Sequence, residues 1–144
     1  MELILKGKPV VKGIARGVTL VSAEPLSFWG GYDYHTGEIT DRRHPLSGSI
    51  AAGRVLALPF TRGSSTTTAI LLEAVRAGTA PAAILTTGVD AFFALASIVA
   101  GEMYANPLPI VALTPEDFTR LKSGDEVEVR EDGQVHILVG DDSR

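Results

Sequence analysis

With 144 residues, 45% of them hydrophobic and 21% charged, the chain has the composition of one soluble globular domain, long enough to bury a core. Its net charge of −4, without a basic cluster interleaved with aromatics, gives no electrostatic case for nucleic acid or an acidic membrane surface. The absence of cysteine excludes disulfides, and it excludes thiolate ligation of zinc or an iron–sulfur cluster by this chain.

Met1–Gly7 lacks the long apolar stretch of a secretory signal, and no apolar run approaches the ~20 residues of a membrane span, so a cytoplasmic protein is expected. Short strands are expected at Leu3–Leu5, Val10–Val11 and Gly17–Val21. A long loop then runs from Phe28 to Leu46, rich in Gly, aromatics and titratable groups. A loop of that length is uncommon unless it is functional or disordered, and its aromatics argue against disorder. The middle alternates: a strand at Val55–Phe60, a helix at Thr67–Arg76 stopped by Gly78, a strand at Ala82–Thr86, a helix at Asp90–Val99 ended by Gly101, and a strand at Pro109–Leu113. This alternation predicts βαβ units with right-handed crossovers and at least partly parallel pairing.

Beyond it, Thr114 and Pro115 are the cap and first position of a short helix. A hairpin follows, with Glu126–Arg130 and Gln134–Val139 joined by Glu131-Asp132-Gly133. The hairpin charges read as a solvated face and His136 as structural. The segment Ala91–Val99 is apolar nearly all round and reads as a buried helix, a contact face for another subunit being the lesser alternative. Residues 1–140 are expected to form a single domain, and residues 141–144 a frayed tail.

The chemistry concentrates in Thr61-Arg62-Gly63-Ser64-Ser65-Thr66-Thr67-Thr68, between a strand and a helix. Free backbone N–H groups, the positive end of a helix dipole and Arg62 would meet there, which suits a carboxylate or phosphate. Hydroxyls at a helix start also serve as caps, but five in succession after Arg-Gly exceed what a cap requires. In the long loop, Asp33, His35, Asp41 and His44 offer an acid–base pair or metal ligands, yet no periodicity brings them together. Asx-turns account equally for the two Asp residues. With Trp29, Tyr32 and Tyr34 among them, a loop that lines a site or packs on a partner is the stronger reading, and no protein-borne metal site is expected.

The order Phe28-Trp29-Gly30-Gly31, Asp33, Thr36-Gly37, Asp41, His44-Pro45-Leu46, Arg62-Gly63-Ser64 and Gly78-Thr79-Ala80-Pro81-Ala82-Ala83 resembles the small, swivel-type subunit of the aconitase X hydro-lyases, from about Gly7 to Val129. The resemblance implies a swivelling β/β/α domain, a mixed sheet with flanking helices and a C-terminal hairpin. It implies a dehydratase completed by a larger subunit, in a heterodimer or higher assembly, with an iron–sulfur cluster carried by that partner. By position, Ser64 matches the family's proton acceptor. Arg62, Gly63, Ser65 and Thr66 become substrate contacts, and Gly30, Gly31, Asp33 and His44 belong to a loop at the site or the interface. Aconitase itself has an Arg where this chain has Thr66, which argues against citrate-like substrates. The implied activities are dehydration of cis-3-hydroxy-L-proline and of mevalonate 5-phosphate. The Ala-rich, Lys-poor composition inclines the choice to the first. A non-catalytic module holding a small anion in the Ser/Thr turn is the alternative of another class.

Overall fold

The computed structural model describes residues 2–28, 30–60, 66–88, 91–105 and 108–138. Among them the chain forms β1 (Glu2–Lys6), β2 (Lys8–Val11), β3 (Ala15–Val21), β4 (Tyr32–Asp33), β5 (Glu38–Ile39), β6 (Val55–Ala57), α1 (Thr66–Ala77), β7 (Ala83–Thr86), α2 (Ala91–Tyr104), β8 (Ile110–Ala112), α3 (Pro115–Phe118), β9 (Glu126–Val129) and β10 (Gln134–Leu138). The expected tail, residues 141–144, lies outside the described residues.

Eight of these strands follow the order β1-β10-β9-β3-β6-β7-β8-β2. The segment β3-β6-β7-β8 is parallel, as the βαβ alternation predicts. The flanks are antiparallel. Strands β1 and β2 stand at opposite ends of that order yet are consecutive in the chain, with only Gly7 between them. The sheet therefore bends back on itself. At the crossing, Gly7 N–H donates to the Gly133 carbonyl oxygen at 3.0 Å. A side chain on Gly7 would collide with Val111 and crowd the Gly133 carbonyl, so the close approach requires glycine. Strand β3 belongs to both halves: Ala15–Val18 pairs with β9 and Thr19–Val21 with β6.

The short parallel strands are buried on both faces, which is why they read as continuous apolar runs rather than alternating ones. One face sends Leu56 and Ile84 into a cluster with Leu71 and Ala74 of α1, Phe93 and Ala96 of α2, and Leu26, Phe28, Tyr32 and Ile39 of the excursion between β3 and β6. The other sends Val55, Ala57, Ala83 and Leu85 against Val127, Val129, Val135 and Ile137 of the terminal hairpin and Phe118 of α3. Two sheet layers and one helical layer result. The Thr114 hydroxyl accepts from Asp117 N at 3.1 Å and Pro115 opens α3, as its cap signature predicts. Likewise α1 stops at Gly78, where φ is +78°.

Three expectations are corrected. Helix α2 does not end at Gly101 but runs through it to Tyr104. A mid-helix glycine costs only about 1 kcal/mol, which the packing of Phe93, Ala96 and Ala100 outweighs. The left-handed turn falls instead at Ala105, with φ +52°. Nor is α2 buried all round: Leu95, Ile98 and Met103 are exposed. Finally, residues 28–46 are not a structureless loop, because Tyr32–Asp33 and Glu38–Ile39 pair as a small antiparallel ribbon. Strands of two residues are too short for any periodicity to announce them.

Ser97 fastens α2 to the segment entering β8. Its hydroxyl donates to the Leu108 carbonyl oxygen and accepts from Leu108 N, at 2.5 and 2.7 Å. No helix among the described residues is long and apolar enough to cross a membrane.

Candidate active site

The parallel strands β3, β6, β7 and β8 all deliver their carboxyl ends to one edge of the sheet, the edge where ligands bind in open α/β structures. Backbone hydrogen bonds knit the segments leaving that edge: Ser22 N to Ala57 O at 3.0 Å, Leu58 N to Leu85 O at 3.0 Å, and Leu113 N to Thr86 O at 2.7 Å. Pro59, which follows β6, accepts at its carbonyl from Thr87 N and from the Thr87 hydroxyl, at 3.2 and 3.1 Å. The connection out of β6 is thereby tied to the connection out of β7. Beyond Pro59 and the exposed Phe60 the chain passes through residues 61–65 to Thr66, the first residue of α1. The predicted site residues Arg62, Gly63, Ser64 and Ser65 lie outside the described residues, as do Trp29 and the side chain of Thr66. Thr67, one position on, is buried.

The excursion between β3 and β6 packs against this helical layer. Phe28 stacks on Tyr32 with ring centroids 5.0 Å apart and meets Phe93 of α2 edge-on at 5.5 Å. The Tyr32 hydroxyl donates to the Thr79 carbonyl oxygen at 2.7 Å, and burial pushes its phenol above the usual range. The aromatic Tyr32 thus serves the core. Gly31 follows Gly30 into the ribbon, and a side chain there would collide with the Ser27 carbonyl oxygen. Gly30 itself is exposed with open space around it.

Asp33 and Asp41 both close Asx-turns. Asp33 Oδ1 accepts from His35 N at 2.8 Å and Asp41 Oδ1 from Arg43 N at 3.0 Å. His44 is buried and committed at both ring nitrogens. Its Nδ1 accepts from Leu46 N at 3.1 Å, which leaves the proton on Nε2 to be donated to the Glu24 carbonyl oxygen at 3.2 Å. The His44 ring therefore pins residues 41–46 to the segment leaving β3. Between them lies a cavity of about 380 Å³ lined by Glu24, Pro25, Ser27, Asp41, Arg43 and His44. Sequence reasoning singled out neither Glu24 nor Ser27 nor Arg43, because Ser22–Ser27 carries no periodicity or motif. Among the described residues no three His, Asp or Glu side chains group as metal ligands.

Two sheet layers closed at a glycine crossing, with a helical layer and the carboxyl ends of parallel strands at one edge, define a swivelling β/β/α domain. The family profile of the aconitase X swivel domain matches residues 4–137, and the chain belongs to that family. It is 39% identical to the phosphomevalonate dehydratase small subunit of Pyrococcus furiosus over 139 residues, which cover 96% of this chain and 98% of that one. It is 47% identical over 106 residues to the cis-3-hydroxy-L-proline dehydratase of Pseudomonas aeruginosa, covering 74% of this chain but only 18% of that longer protein. The crystal structure of Thermococcus kodakaraensis aconitase X in its holo form superposes with a TM-score of 0.85 at 33% identity, covering 95% of this chain and 99% of that one. The first two are named as dehydratases, and the one from Pyrococcus furiosus is a small subunit.

Proposed function

We propose that this chain is the small subunit of an aconitase X-type dehydratase, in which Ser64 takes a proton from a substrate carbon while hydroxide leaves the neighbouring carbon. The supporting observation is one of placement. Gly63-Ser64-Ser65 stands in the chain between the carboxyl end of β6 and the start of α1, in a domain that matches the family over residues 4–137. The C–H electron pair becomes the new double bond, the proton passes to the Ser64 oxygen, and the C–O bond breaks. A serine hydroxyl is far too weak a base near neutrality, so its anionic form needs stabilisation. Arg62, the N–H groups of Gly63 and Ser65, and the positive end of the α1 dipole are the groups of this chain suited to that work. Arg62, Gly63, Ser65 and Thr66 hold the substrate.

With no cysteine, this chain does not fit an iron–sulfur cluster, which belongs to the larger subunit. There it would supply Lewis-acid assistance to the departing hydroxide. The substrate is cis-3-hydroxy-L-proline, with mevalonate 5-phosphate the runner-up. The test is co-expression with the large subunit and anaerobic assay of both substrates. Ser64→Ala should lower turnover by about a thousandfold or more while complex formation and the unfolding midpoint stay unchanged. Near-normal turnover by that variant would remove Ser64 from the mechanism. The chain alone should be inactive.

A further inference from the structure

Helix α2 has an outer face unlike that of a solvated crossover helix. Leu95, Ile98 and Glu102 recur at spacings of three and four, flanked by Val99 and Met103, on the side away from the buried Phe93, Ala96 and Ala100. Leu95, Ile98 and Met103 are 51%, 56% and 64% exposed, and Val99 is half-buried. Glu102 is the one charged residue of the helix, which has no Lys or Arg. A helix face in contact with water ordinarily carries several charges, whereas the centre of a protein–protein interface is depleted of them. The outer face of the β1-β10-β9-β3 layer differs. There the exposed Ile4 lies two residues from the exposed Lys6, Val18 stands opposite Glu126, and Arg16–Glu126 and Arg130–Glu128 pair at 3.1 and 2.8 Å.

This face starts at the sheet edge where the strands deliver their loops. Helix α2 begins five residues after β7 ends at Thr86, so its first two turns, with Leu95 and Ile98, stand nearest that edge. The exposed Phe60 is at the same edge, since the carbonyl of Pro59 accepts from Thr87 N. Helix α1 lies in the same layer; its first turns add the exposed Ala69 and the half-buried Leu72, and its later turns the Glu73–Arg76 ion pair at 2.9 Å. A body that closes over the carboxyl ends of β6 and β7 therefore meets apolar surface first. A second copy of this chain fits poorly. Among the described residues no ion pair engages Glu102, α2 has no base to offer it, and Arg76 is spent on Glu73. Packing α2 on α2 would bury that carboxylate without a cation, which is costly. The occupant has to bring an apolar surface with a basic side chain toward Glu102. In the Pseudomonas aeruginosa relative the matched stretch is only 18% of the chain, so a much larger body is built onto the domain there.

We propose that the outer face of α2, centred on Leu95, Ile98 and Glu102, is the surface on which the large subunit docks, with a basic side chain of that subunit meeting Glu102. The inference rests on the dehydratase reading and names the surface through which its partner binds. It is tested on the co-expressed two-subunit complex, by sedimentation velocity across a dilution series together with turnover. Ile98→Glu should raise the dissociation constant about thirtyfold or more, and Glu102→Lys about tenfold. At saturating large subunit both variants should keep kcat within about twofold of wild type, and their unfolding midpoints should be unchanged. Should Ile98→Glu fail to fold, Glu102→Lys decides, because it exchanges one exposed charge for another. Ile4→Glu, on the outer face of the other layer, should leave the dissociation constant within about twofold. A complex that forms and turns over with a dissociation constant unmoved by Ile98→Glu and Glu102→Lys overturns the docking face and leaves the dehydratase intact. So does an isolated chain that dimerises, becomes monomeric on Ile98→Glu and still binds the large subunit as wild type does. If the wild-type chain neither binds the large subunit nor yields turnover with it, the dehydratase reading fails and the docking face with it.

Discussion

The Tyr32 hydroxyl reaches the Thr79 carbonyl oxygen at 2.7 Å, joining the excursion after β3 to the turn between α1 and β7 across 47 residues of chain. Removing the hydroxyl leaves Thr79 without that partner while the ring keeps its stack on Phe28. Tyr32→Phe should therefore cost about 1–2 kcal/mol, read from urea unfolding at pH 8. A cost near zero would show that water replaces the hydroxyl at Thr79.

The same phenol gives a pH dependence with a definite sign. Its folded-state pKa is raised by burial, so the folded chain keeps a proton that the unfolded chain releases near pH 10. The stabilising contribution is complete below pH 10 and is lost as pH rises beyond it. The stability gap between wild type and Tyr32→Phe should narrow by about 1 kcal/mol between pH 8 and pH 11. Groups common to both proteins cancel in the difference.

Gly7→Ala tests the crossing that closes the sheet. The added methyl group meets Val111 and the Gly133 carbonyl, so β1 and β2 cannot both keep their registers. A loss of about 2 kcal/mol or more is expected. Amide exchange should rise first at Gly7 and Gly133, and an increase confined to α1 would contradict the assignment.

Ser97→Ala removes a donor and an acceptor from the backbone of Leu108 at once. Both groups are enclosed by α2 and β8, and a loss of about 2 kcal/mol should follow, whereas Ser97→Thr should retain much of it. Thermal unfolding of the two variants makes the comparison.

Local chemistry was legible in the sequence, and long-range geometry was not. The Thr114-Pro115 start of α3, the Gly78 stop of α1 and the apolar runs at Val55 and Ala83 each carry their cause within a few residues. The end of α2 was misread at Gly101 because tertiary packing overrides a single glycine. The closure at Gly7 depends on Gly133, more than 120 residues away, and no local pattern encodes it. The candidate site divides in the same way. Ser64 and its neighbours stand together in the chain and were visible as a motif. Glu24 and Leu46 are tied by the His44 ring, through bonds to backbone atoms whose side chains are irrelevant. That kind of contact leaves no residue-type signature.

The pairing of β1 with β10 sets Glu2 opposite Leu138, and Glu126 lies beside both Leu138 and Val18 of β3. Both ends of the described domain thus leave from one corner, on the side toward which β3 runs. A longer polypeptide joined at either end would be tethered on the side of the sheet where the strands deliver their loops. Its relatives include both a small subunit of matching length and a protein of which it spans under a fifth. Joining such a tether raises the effective concentration of whatever it carries at that side of the sheet.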